Sequence, residues 1–232
     1  MNNASTAPKG LLLTFEGLDG CGKTTQSQRC AEALTPRLQA EGRPLLVTRN
    51  PGGTVLGKAL REILLHSTDP IAAKAELLLY IADRAQHWET EIAPVLAQGG
   101  VVVCDRFQDS TLAYQSFGRG LDYDWILALH QQAVTSVAYP ALAYTQRTYY
   151  FAAPLDDLRA RLMARGTPDR LEREAEAFHQ RVADGFSAQA KREPHRVVTL
   201  DALQSIEALH AQVMADVMAL LPESPAVCSP SM

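Results

Sequence analysis

Gly17-Leu18-Asp19-Gly20-Cys21-Gly22-Lys23-Thr24 decides the fold. The eight residues match G-x-x-x-x-G-K-[ST] in full, and they stand between an apolar run, Leu11–Phe15, and a stretch of helical character, Lys23–Glu41. A strand that ends in a glycine-rich turn and opens into a helix builds a cradle for an anion. The glycines let backbone N–H groups turn inward, and the helix N-terminus adds the positive end of its dipole. In this pattern Lys23 reaches the β- and γ-phosphates of a nucleoside triphosphate, and the Thr24 hydroxyl faces Mg²⁺. The phosphate-binding set is then Gly17, Leu18, Asp19, Gly20, Cys21, Gly22, Lys23 and Thr24, with Thr25 beside them.

Working outward, strands and helices alternate. Pro44–Thr48, Val101–Cys104, Thr148–Phe151 and Val197–Leu200 read as further strands. Thr54–His66, one long helix over Ala72–Ala97, 109–117, 122–136, Leu155–Arg165 and Leu203–Leu221 read as helices. That alternation predicts an α/β domain, a doubly wound sandwich of about five parallel strands with helices on both faces. No linker interrupts 10–221, so one domain is expected there, with disordered tails at 1–9 and 222–232. The charged segment Gly166–Arg181 reads as a solvated helix face.

A phosphate loop specifies a nucleotide but not a reaction. No guanine-reading N-K-x-D occurs. Asp105, after the apolar strand Val101–Cys104, takes the acidic position near the nucleotide's Mg²⁺. Arg106 beside it suits a second anion at the carboxyl end of the sheet. Tyr80 and Arg84 share a helix face at a spacing of four, and a ring beside a guanidinium suits a base and a phosphate. Ser110, Thr111, Tyr114 and Gln115 form a hydrogen-bonding face just after Arg106. The turn-rich loop 48–54 leaves the second strand, and Arg61 lies two turns beyond it.

Composition narrows the field. The 232 residues carry a net charge of -4, which disfavours a general nucleic-acid binder. No apolar run approaches a membrane span of about 20 residues, so no membrane partner is expected. The four cysteines, Cys21, Cys30, Cys104 and Cys228, have neither zinc spacing nor a C-x-x-C pair, which fits reduced thiols in the cytoplasm.

Taken in order, Phe15–Gln26, Thr48–Thr54, Ala82–His87, Asp105–Phe107, Ser110–Gln115 and Gly118–Gly120 resemble thymidylate kinase across roughly residues 10–221. The resemblance implies a P-loop NTPase-type nucleoside monophosphate kinase fold with a helical lid at about 161–181. It implies transfer of the γ-phosphoryl of Mg-ATP to dTMP, giving dTDP for dTTP synthesis, in a cytoplasmic homodimer. It places Asp19 near the acceptor phosphate and metal, with Arg61, Arg84 and Arg106 gripping that phosphate. Tyr80 would stack on thymine, and Ser110, Thr111, Tyr114 and Gln115 would read base and sugar. One branch of the family carries a catalytic Arg in the phosphate loop. Gly20 holds that place here, so Arg161 or Arg165 of the lid would supply it, with Arg170 in the same segment. Asn50 stands where Glu is usual, Phe107 where Tyr is common, and Phe151-Ala152 where Leu-Asp is usual. Two other readings stay open: a kinase for another monophosphate, and a nucleotide-binding paralogue without turnover.

Overall fold

Alternation along β1 (Gly10–Glu16) organises the domain. All seven residues are buried. Leu11, Leu13 and Phe15 point into one core and Leu12 into another, as a period of two requires when both faces of a sheet are covered. The computed structural model describes residues 9–163 and 169–221. Within them a five-stranded sheet runs β2 (Leu45–Arg49), β3 (Val101–Asp105), β1, β4 (Tyr144–Ala152), β5 (Val197–Asp201), every pairing parallel. The tails beyond 9 and 221, with Cys228, and Arg165 of the expected lid lie outside the described residues.

The chain moves from β1 out to β2, returns through β3, and then crosses to β4. The switch in direction leaves a crevice at the carboxyl ends of β1 and β3. Their register sets Phe15 opposite Asp105, so the phosphate loop and the Asp105-Arg106 turn emerge side by side.

One face is covered by α1 (Lys23–Ala40), α8 (Glu176–Arg192) and α9 (Ile206–Leu220), which bring Leu34, Leu38, Val182, Phe186, Val213 and Val217 to the larger core. The other face receives Trp88, Ile92, Ala93 and Leu96. Those four belong to the span read as one long helix. It is α3 (Ala73–His87), a π-helical turn over Trp88–Ile92, and α4 (Ala93–Ala97). Pro94 has no N–H for the carbonyl four residues back, so the hydrogen-bond register widens there.

A second π-helical turn, Leu112–Gly118, follows α5 (Gln108–Thr111). Caps correct several expected boundaries. Thr54 accepts the Gly57 amide and starts α2 (Val55–His66); Asp122 accepts that of Trp125 and starts α6 (Tyr123–Ala133); Ser205 accepts that of Ala208 and starts α9. β4 begins four residues earlier than expected, and α7 is described over Leu155–Met163. The charged segment is not only a solvated face. It leads into α8, which buries Phe178, Val182, Phe186 and Gln189 on one stripe.

Candidate active site

The phosphate loop has the backbone its sequence demands. Gly17, Gly20 and Gly22 hold φ of 140°, 84° and 90°, conformations that a Cβ disfavours. At Gly17 a Cβ would also meet the Phe151 carbonyl oxygen at 2.7 Å. Gly22 precedes α1 without any side-chain cap, so the first-turn amides of an 18-residue helix are left for an anion. Thr24 donates to Asp105 Oδ2 at 2.6 Å, and Asp105 Oδ1 is buried with no partner among the described residues. The two residues predicted near Mg²⁺ therefore meet, with one carboxylate oxygen unsatisfied.

Asp19 joins this loop to the residues predicted for a second anion. It accepts Lys23 Nζ at 2.9 Å and Arg106 Nη2 at 2.7 Å. Burial would raise its pKa, but Arg106 and Lys23 overcome that and hold the carboxyl well below the usual range. Arg106 also donates to Ser110 Oγ at 2.9 Å and lies over the Tyr114 ring at 5.3 Å.

All nine residues predicted for the acceptor line one cleft: Asp19, Arg61, Tyr80, Arg84, Arg106, Ser110, Thr111, Tyr114 and Gln115. They come from the phosphate loop, α2, α3, the turn after β3, α5 and the second π-helical turn. The wider helical register after Thr111 carries Tyr114 and Gln115 into the cleft wall.

Arg84 is almost fully buried. Its Nε and Nη2 donate to Asn50 Oδ1 at 3.1 and 2.5 Å, and Nη2 also donates to the Phe107 carbonyl at 3.1 Å. Nη1 has no partner among the described residues. Burial pulls its pKa down, and no carboxylate among the described residues touches it directly. The nearest, Asp83, is bridged by Asn50, whose Nδ2 donates to Asp83 Oδ2. Arg61 Nη1 donates to the Pro51 carbonyl at 3.1 Å.

Several residues of the site escaped sequence reasoning. Glu76, fully buried, accepts Gln115 Nε2 at 2.9 Å and two Arg119 nitrogens at 3.1 Å. Arg170, read as part of the lid, also donates to Glu76 and to the Leu64 carbonyl. Glu76 precedes Tyr80 by four residues and Arg84 by eight, so helical spacing could have found it. Asp169 and Leu171 close the cleft from the same segment. Arg161 Nη1 lies 3.4 Å from the Gly20 carbonyl and 3.2 Å from that of Ala202, over the phosphate loop.

No trio of His, Cys, Asp and Glu among the described residues could hold a metal by itself. His87 and His130 are buried, and burial lowers both, His87 to about 4. Among the described residues no helix is long and apolar enough to cross a membrane.

A family profile described as thymidylate kinase matches residues 15–213. The thymidylate kinase of Synechococcus sp. (strain JA-2-3B'a(2-13)) is 49% identical over 212 residues, covering 91% of this chain and 96% of that one. That of Exiguobacterium sibiricum is 41% identical over 213 residues, covering 91% and 96%. The crystal structure of thymidylate kinase from Ehrlichia chaffeensis superposes with a TM-score of 0.70 at 32% identity, covering 90% of this chain and 99% of that one.

Proposed function

The chain belongs to the thymidylate kinase family, enzymes that phosphorylate dTMP to dTDP, and from that premise we propose how its residues divide the work. Lys23 and the amides of Gly17–Thr25 take the phosphates of ATP. Thr24 and Asp105 would hold Mg²⁺ together with the nucleotide. The unsatisfied Asp105 Oδ1 beside the Thr24 hydroxyl supports that fit. When bound, the ion neutralises charge on the β- and γ-phosphates.

The acceptor phosphate of dTMP has a second pKa near ~6 and is mostly a dianion at neutral pH, so no base is needed to make the nucleophile. The obstacle is like charge. Two unit charges ~4 Å apart repel by ~4 kcal/mol at an effective dielectric of 20. Lys23, Arg61, Arg84 and Arg106 would offset that repulsion and hold the in-line geometry. Tyr80 supplies the stacking surface for thymine, and Thr111, Tyr114 and Gln115 the polar contacts. Arg161, already over Gly20, or Arg165 supplies the clamp on the phosphoryl group in transfer. A single observation supports the assignment most strongly: nine acceptor residues, chosen by sequence from five separate stretches, line one cleft beside Lys23.

Release of ADP from Mg-ATP with dTMP, dUMP, dCMP, UMP, CMP, AMP and GMP, each alone, tests the reading. Preference for dTMP, lost in Lys23→Ala, is the expected result. Preference for another monophosphate overturns the base pocket, and no turnover by folded protein favours the non-catalytic paralogue.

We further propose a homodimer in the cytoplasm. Leu56 and Ile63 of α2 and Leu78 of α3 are about half exposed on neighbouring helices, an apolar face suited to a second copy. Cys21, Cys30 and Cys104 are free and buried, which suits a reducing compartment. Sedimentation of wild type against Leu56→Asp should show dimer and monomer respectively; a wild-type monomer refutes the pairing.

A further inference from the structure

Glu16 closes β1, fully buried, and no role above uses its charge. One carboxylate oxygen accepts the Phe107 amide at 2.6 Å and the Ser110 amide at 3.4 Å. The other accepts the Ser110 hydroxyl at 2.5 Å. A guanidinium only donates, so the Ser110 oxygen accepts Arg106 Nη1 at 2.9 Å and the Ser110 hydrogen is left for Glu16. Donation runs from Arg106 to Ser110 to Glu16.

The same carboxylate bears on the backbone. Arg106 is the one non-glycine residue with positive φ, 68°, among the described residues. L-residues avoid that region unless surrounding contacts enforce it. Two contacts bracket the turn: the Arg106 amide donates to the Phe15 carbonyl at 3.0 Å, and the Phe107 amide donates to Glu16. Both anchors are consecutive residues of β1, so the strand that launches the phosphate loop also sets the Arg106 turn. Asp19 holds the other guanidinium nitrogen from the cleft side, while Glu16 holds the turn from beneath.

We propose that Glu16 is a positioning residue for acceptor-phosphate recognition: its carboxylate fixes the backbone turn at Arg106 and, through the Ser110 hydroxyl, the guanidinium itself. The inference rests on the reading of Arg106 as a ligand of the dTMP phosphate. Ser110 then serves the phosphate through Arg106 and does not donate to the ligand. A buried carboxylate is costly unless donors satisfy it, and the donors to Glu16 all lie in the Phe107–Ser110 stretch.

The test is a pair of dissociation constants, for dTMP and for thymidine, measured by titration calorimetry on the full chain. Thymidine lacks the phosphate, so the ratio of its constant to that of dTMP reads phosphate recognition alone. Glu16→Gln replaces one acceptor oxygen by a donor against either Phe107 N–H or Ser110. It should weaken dTMP by about tenfold or more, the scale of a charge-assisted hydrogen bond, with thymidine within about twofold of wild type. Ser110→Ala should lower the same ratio, and adding it to Glu16→Gln should cost little more, because both act on one path. Equal weakening of dTMP and thymidine, or an unchanged ratio, overturns the inference. If Glu16→Gln does not fold, Ser110→Ala decides by the same ratio. Arg106→Ala separates the two readings. If it leaves the ratio intact, Arg106 is not the phosphate ligand; if it collapses the ratio while Glu16→Gln and Ser110→Ala do not, the role of Glu16 alone fails.

Discussion

Replacing Arg106 by alanine and by glycine separates two things this residue does. Both variants remove the guanidinium, with its 2.7 Å contact to Asp19, its 2.9 Å contact to Ser110 and its place over Tyr114. Only alanine keeps a Cβ at φ 68°. A Cβ in the left-handed region costs about 1–2 kcal/mol, and glycine returns about 0.5–1 kcal/mol of that through its freer unfolded chain. Arg106→Gly should therefore be more stable than Arg106→Ala by about 0.5–1 kcal/mol. With a urea slope of about 2 kcal/mol/M, that separates the unfolding midpoints by about 0.3–0.5 M. Catalysis should not distinguish them. Loss of one preorganised cation at the acceptor phosphate should lower kcat/KM for dTMP by about 10²–10³ in both. Alanine as stable as glycine, or more so, would refute the strained turn. Turnover within about tenfold of wild type would refute the role of the guanidinium.

Three further outcomes are expected. Arg161→Ala or Arg165→Ala, whichever removes the clamp, should lower kcat by about 10³ with KM for dTMP little changed; near-normal turnover in both single variants refutes a clamp from this segment. Burial and Asp109 raise Glu16 to about 7, against the pull of Ser110, Arg106 and the Phe107 amide, with Arg84 and Cys104 also facing it. The folded state then holds this proton more tightly than the unfolded chain, so the stabilisation is full below the ordinary value of 4.5 and is lost as pH rises through about 7. Urea midpoints should show wild type losing ground to Glu16→Gln across that window, and a pH-independent difference refutes it. Gly53→Ala would set a Cβ 2.3 Å from His87 Nε2 and 2.6 Å from Thr48 Oγ1, which themselves share a 2.8 Å hydrogen bond. Overpacking of that kind should cost about 2 kcal/mol or more and lower Tm by about 4–8 °C; an unchanged Tm refutes the contact.

What was legible in the sequence was whatever local chemistry demands. Gly17, Gly20 and Gly22 must be glycine because of their backbone angles, and that requirement makes the phosphate loop visible without a structure. Tyr80 and Arg84, or Ser110 to Gln115, are visible because helical spacing puts them on one face. Glu16 was visible only as the end of a strand, since its partner Phe107 lies 91 residues away. Arg170 reads as a lid cation because nothing nearby in sequence suggests its partner Glu76, 94 residues away. The π-helical turns depend on which carbonyl lacks a donor, a matter of register that periodicity does not carry. Helix α8 was obscured differently. Its stripe of Phe178, Val182, Phe186 and Gln189 follows a run of charges long enough to dominate the reading.

The electrostatics of the cleft explain why Asp19 stands where it does. Lys23 and Arg106 must be fixed close together before two polyanions arrive, and in a partly buried site their mutual repulsion works against that arrangement. Asp19 answers it by sitting between them at 2.9 and 2.7 Å, ionised because these two cations outweigh its burial. Arg84 is handled in the opposite way. Its nearest carboxylate, Asp83, is kept one amide away by Asn50, so the guanidinium is aimed and buried without being neutralised. Two kinds of cation therefore face the cleft. Under the proposed assignment Lys23 and Arg106 would exchange Asp19 for phosphate oxygens, a trade of one anion for another with little net desolvation. Arg84 has no anion to give up, so an arriving phosphate gains its full attraction. Selectivity for a monophosphate over an uncharged nucleoside should thus draw on both kinds of cation, with Arg84 meeting the phosphate unneutralised and the pair that shares Asp19 fixing its placement.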